Sequence, residues 1–104
     1  NFGNLYLPNA FAPNAGSNEL FTVFKPIGIG LEFFEIAVYN KWGTRVWHSL
    51  NELDELGRPT GQWDGQGAAV IANREVFVWK VLDARFAGGR EWQGPREGTV
   101  TLIR

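Results

Sequence analysis

LEFFEIAVYNKWG, residues Leu31 to Gly43, decides the fold. Read from Glu32, the even positions Phe34, Ile36 and Val38 are apolar, while the odd positions Phe33, Glu35, Ala37 and Tyr39 are mixed. Alternation with a period of two, carried by β-branched and aromatic residues, predicts a long strand lying over a core. A helix would need its apolar residues three and four apart, and Glu35 would then interrupt the stripe. Asn40-Lys41-Trp42-Gly43 ends the strand, because Asn and Gly supply turn conformations that other residues resist. Thr44 to His48 should fold back as the second strand of a hairpin.

Outward from this hairpin, the N-terminal side reads as a short strand at Leu5-Tyr6-Leu7, stopped by Pro8. A loop follows from Pro8 to Asn18, with Phe11 tucked inward. Leu20 to Phe24 reads as another strand, and Lys25 to Gly30 carries the chain round to Leu31. On the C-terminal side, His48 to Gly67 is the longest irregular stretch. Within it, Leu50 to Leu56 could form a turn or two of helix, ended by Gly57 and kept from continuing by Pro59. Gly61-Gln62-Trp63-Asp64-Gly65 should turn tightly, Asp64 bonding backbone amides two residues on and Gly65 taking positive φ.

Glu75 to Arg85 (EVFVWKVLDAR) is a second long strand, with Phe77, Trp79 and Val81 on one face and Val76, Val78 and Leu82 on the other. Apolar residues on both faces place it in a sheet interior. Ala87-Gly88-Gly89-Arg90 should be a hairpin turn. The last strand runs from about Glu91 to Ile103 with a bulge at Gly94-Pro95. At its end Val100 and Leu102 point inward, and Thr99, Thr101 and Ile103 the other way. About seven strands with Gly and Pro turns between them predict an all-β, immunoglobulin-like antiparallel β-sandwich.

Composition narrows the function. One domain of 104 residues can bury roughly 60–70% of the surface of its unfolded chain, and so needs no disulfide or metal to fold. Without cysteine there is no thiolate zinc site, iron–sulfur cluster or thiol catalysis. A net charge of −1 with scattered basic residues gives no reason to expect a nucleic-acid partner. No apolar run approaches the ~18 residues of a membrane span. With no initiator Met and no signal-peptide pattern, the chain is expected to be a piece of a longer polypeptide.

Catalytic candidates are few. His48 is the only histidine, and neighbouring Ser49 should point to the opposite face, so no triad is expected. Glu52, Asp54 and Glu55 share a loop but lack the spacing of a calcium loop, and read as solvated charge. Gly28-Ile29-Gly30 lacks the third glycine of a nucleotide loop. No enzyme, cofactor or metal site is expected. Five tryptophans and eight phenylalanines are the surplus. Trp79 belongs in the core, whereas Trp47 and Trp92 are candidates for exposure. Exposed indoles in a row would make the sandwich a carbohydrate-binding or adhesive module, since aromatic faces stack on sugar rings.

Six segments in order resemble one family. They are Pro8-Asn9-Ala10-Phe11-Ala12-Pro13-Asn14, Phe24-Lys25-Pro26-Ile27-Gly28, Val38-Tyr39-Asn40-Lys41-Trp42-Gly43, Trp63-Asp64-Gly65, Val76-Phe77-Val78-Trp79-Lys80 and Gly98-Thr99-Val100-Thr101-Leu102-Ile103-Arg104. Together they look like the gliding motility-associated C-terminal domain, the type B sorting domain of type IX secretion cargo. Three departures stand out. The family's PNGDGxND loop is shortened to Pro13-Asn14-Ala15-Gly16-Ser17-Asn18-Glu19. Lys41 replaces the usual Arg, and Asn73 stands near the place of a Gly.

The resemblance implies a single non-enzymatic sorting domain over 1–104, with cargo fused N-terminally. It would pass through the periplasm of a gram-negative bacterium and cross the outer membrane through the type IX translocon, with a small outer-membrane β-barrel partner. The cargo would finish secreted or at the cell surface. Thr99, Thr101, Ile103 and Arg104 are the expected recognition residues, and Leu102 a folding residue. Pro8, Asn9, Phe11, Pro13, Asn14, Asn40, Lys41, Trp42, Gly43, Trp63, Asp64, Gly65 and Gly98 are expected to be mainly structural.

Overall fold

A computed structural model describes residues 4–12, 22–65 and 74–103, and within them the chain is an all-β sandwich. Eight strands form: β1 (Asn4–Tyr6), β2 (Ala10–Phe11), β3 (Ile27–Ile29), β4 (Leu31–Tyr39), β5 (Arg45–Leu50), β6 (Arg74–Phe86), β7 (Arg90–Glu91) and β8 (Glu97–Ile103). The larger sheet has the order β2-β8-β6-β4-β5, with β7 extending the pairing of β6. The smaller sheet is the β1-β3 pair. Strands β4, β6 and β8 take the places of C, F and G in an immunoglobulin-like sandwich, and β5 that of C′. Between β5 and β6 the described chain has no strand, and only two isolated bridges, Phe24–Trp63 and Leu53–Pro59, involve it.

The alternation in the opening stretch sets the inner face. Phe34, Ile36 and Val38 on β4 are completely or almost completely buried, as are Phe77 and Val81 on β6 and Val100 and Leu102 on β8. Fully burying one such side chain contributes about 1.5–3 kcal/mol. Antiparallel register sets Val38 against Trp79, and Phe77 against Val100. Two bulges shift the parity. Glu32 is an extra residue between Leu31↔Phe86 and Phe33↔Arg85, and Leu82 is extra between Ile36↔Val81 and Glu35↔Asp83. Each lets inward residues change from odd to even numbers while staying on one face, so Ala84 and Phe86 are buried although Val81 is too.

Several local expectations are corrected. The Pro8–Asn18 loop contains β2, which pairs in parallel with β8 at Ala10↔Thr101 and Phe11↔Leu102, so the sandwich is not wholly antiparallel. Ile27–Ile29 is a strand, not a connection, because it closes the sheet edge against β1. Of the expected strand from Leu20 to Phe24, the first two residues lie outside the described ones, and from Thr22 onward only Phe24 makes a bridge. No helix forms at 50–56, where Asp54 draws the chain into a turn. The last strand divides into β7 and β8, since Gln93 to Pro95 leave the ladder while Trp92 and Arg96 still bond to β6 on either side. The turn after β6 is as expected, with positive φ at Gly88 and Gly89.

Candidate functional site

The motif segments meet around Trp63. Its backbone exchanges two hydrogen bonds with Phe24, at 2.7 and 2.9 Å. Its indole, 3% exposed, lies 5.4 Å from the Phe11 ring and 5.0 Å edge-on from the Phe77 ring. Phe11 stands beside Leu102 across the β2–β8 pair, and Phe77 beside Val100. Segments far apart in sequence therefore share one aromatic cluster, with Trp63 packed on the inner face of the large sheet. Gly65 has the positive φ expected of it, and Asp64 is exposed. Gly98 pairs with Trp79, and a Cβ at Gly98 would collide with the Trp79 indole. The glycine of the terminal motif thus makes room for a core ring.

The Asn40–Gly43 turn is built by its first residue. The Asn40 Oδ1 accepts the Trp42 N–H at 3.0 Å and the Thr44 N–H at 2.9 Å, and Gly43 adopts φ of 83°. Lys41 reaches Glu75 at 3.4 Å and sits 4.8 Å above the Trp42 ring, which is 65% exposed. Replacing Asn40 by Ala should cost about 1 kcal/mol, because two amide donors lose their acceptor. Asn40→Asp, which keeps the acceptor, should restore most of it. The urea midpoint should move in each case with an unchanged slope.

The candidate recognition strand is only partly open. Thr99 is exposed, Thr101 and Ile103 are half-buried, and Val100 and Leu102 are fully buried beneath them. The Thr101 N–H donates to the Asn9 carbonyl at 2.9 Å. β2 occupies this outer edge at Thr101 and Leu102, and within β8 Glu97 to Val100 and Ile103 pair on one side alone. Arg104, Pro13, Asn14 and Asn73 lie outside the described residues, as does the shortened loop. Pro8 is half-buried and Asn9 exposed where the chain enters β2.

No platform of indoles forms. Of the five tryptophans only Trp42 is exposed, and Trp47 and Trp92 pack against the core. Both were candidates for exposure. Trp47 is drawn in by an edge contact with Phe24, ring centres 6.0 Å apart, and Trp92 folds its indole back over Gly94.

The polar candidates are kept apart. On the outer face the His48 Nε2 meets the Glu35 Oε2 at 2.8 Å, while buried Ser49 faces inward and donates to the Glu52 Oε1 at 2.6 Å. Asp54 staples its own turn: Oδ1 accepts the Leu56 and Arg58 N–H groups, each at 2.9 Å, and Oδ2 accepts the Arg58 Nε–H at 2.7 Å. The Arg58 backbone amide is the main cause holding this carboxyl below its ordinary pKa. Sequence reasoning missed this turn; an Asp followed by Gly57 and Pro59 was its signal.

No family model, curated protein or solved structure matches the chain.

Proposed function

We propose that the domain is a non-enzymatic C-terminal sorting signal, carrying a parent protein across the outer membrane through the type IX secretion system. The observation that supports this best is the convergence of motifs. Four of the six segments meet at the Trp63 cluster through Phe11, Phe24, Trp63 and Phe77, and the terminal segment packs against it through Val100 and Leu102. Residues carrying a resemblance in sequence thus share a common structural task. A sorting label requires a stable body with a readable surface. Here the readable parts are the Lys41–Trp42 turn and the outward residues Thr99, Thr101 and Ile103, continued by Arg104.

The test is a reporter bearing residues 1–104 at its C-terminus, expressed in a gram-negative host with an active type IX translocon and in its translocon-null strain. Reporter should reach the medium or cell surface only in the first. Deleting Gly98 to Arg104 should abolish export, whereas Arg104→Ala should reduce it with the melting temperature nearly unchanged. Retention of a folded, intact fusion in the periplasm of the active strain would refute the role, and full export with Arg104 removed would refute that residue's part in it.

A further inference from the structure

A cleft of about 370 Å³ opens beside the Asp54 turn, lined on one side by Lys25, Pro26, Ile27 and Gly28 and on the other by Asp54, Arg58, Pro59 and Thr60. Its volume is within the usual range of small-ligand sites. The arrangement of charge inside it is particular. Asp54, the one acid among the described lining residues, spends both oxygens on the turn, and its bond to Nε fixes the Arg58 guanidinium. The Arg58 side chain is still 55% exposed, and none of its terminal nitrogens makes a hydrogen bond among the described residues. Lys25 makes no ion pair there either. Among the described lining residues two cations, Lys25 and Arg58, stand against one carboxylate already committed to the turn.

The walls are rigid. The Gly30 and Leu31 N–H groups donate to the Leu56 and Gly57 carbonyls at 2.9 and 3.1 Å, tying the turn to the start of β4, while Pro26 is fully buried. Exposed Ile27 supplies apolar surface beside the charges, and buried Pro26 and Pro59 back the cleft from within. A planar guanidinium held in place by a carboxylate has its remaining fork ready for a two-pronged oxyanion, with little ordering left to do on binding.

From this geometry we infer that the cleft binds a carboxylate carried on a short apolar peptide, with Arg58 engaging the carboxylate and Lys25 adding charge from the facing wall. The site is separate from the β8 surface assigned to export, and the two stand or fall independently. The carboxylate can belong to an acidic side chain or to a peptide's free C-terminus.

Three capped dipeptides titrated into the isotope-labelled full chain separate these sources: N-acetyl-Leu-Glu-amide, N-acetyl-Leu-Leu with a free carboxylate, and N-acetyl-Leu-Leu-amide. The backbone amides of Gly28, Arg58 and Thr60 should shift saturably with one or both acids and not with the neutral peptide. Whichever acid binds identifies the source. Arg58→Gln should weaken binding on the order of tenfold, and Arg58→Lys less, because it keeps the charge and loses the fork. Lys25→Gln lies outside the stapled turn, and should weaken binding even if Arg58→Gln disturbs it. The inference fails if neither acid moves these amides at millimolar concentration, if the neutral peptide binds equally well, or if Lys25→Gln and a folded Arg58→Gln both bind like the parent.

Discussion

Trp63→Ala should lower the unfolding free energy by roughly 3–5 kcal/mol, the range for deleting a large buried aromatic side chain. The reason is position as well as size. Trp63 is 3% exposed and touches rings from β2 and β6, while its main chain bridges Phe24. Edge-on aromatic contacts add about 0.5–1.5 kcal/mol each beyond burial. Trp42→Ala provides the contrast: that indole is 65% exposed, and its loss should change stability by less than about 0.5 kcal/mol. Urea unfolding of the two variants measures both. Equal midpoints would mean that the cluster around Trp63 does not hold the sandwich together.

That contrast marks how far the sequence was legible. Phe34, Ile36 and Val38, and then Val100 and Leu102, could be read inward because strict alternation leaves one choice of face. Leu82 and Glu32 could not be read as bulges, since an extra residue in a ladder is defined only by its partner strand. Trp47 and Trp92 looked exposable because a strand or loop position says little about where a long ring folds, and Phe24 and Gly94 decide that from elsewhere. Trp63 reads as part of a tight turn, whereas its main chain forms an antiparallel bridge with Phe24 at the centre of the core. That place was hidden because its partners Phe11, Phe24 and Phe77 are distant in sequence. For the proposed export surface, Thr99, Thr101 and Ile103 were assigned their outward face correctly. The parallel pairing of β2 with Thr101 and Leu102 was hidden, since a two-residue strand beside Pro8 has no periodicity to detect.

Gly57→Ala should be strongly destabilising, through two separable effects. The backbone at Gly57 has φ of 74°, a left-handed conformation that costs an L-residue roughly 1–2 kcal/mol. An added Cβ would also press on the Leu31 main chain, 2.6 Å from its carbonyl oxygen, and on the Gly30 carbonyl carbon at 2.9 Å. Backbone atoms of β4 cannot swing aside as a side-chain tip can, so overpacking adds about 1–3 kcal/mol. Gly88→Ala isolates the first effect, for Gly88 has φ of 91° but open space around its Cβ position. The difference between the two variants is then the steric cost of the clamp that holds the Asp54 turn on β4. Hydrogen exchange locates it. In Gly57→Ala the amides of Gly30 and Leu31, which donate to the Leu56 and Gly57 carbonyls, should lose protection beyond the global loss of stability, whereas in Gly88→Ala they should not. If the two variants are equally stable and equally protected at Gly30 and Leu31, the turn is not clamped against the strand, and the rigid wall assigned to the cleft goes with it.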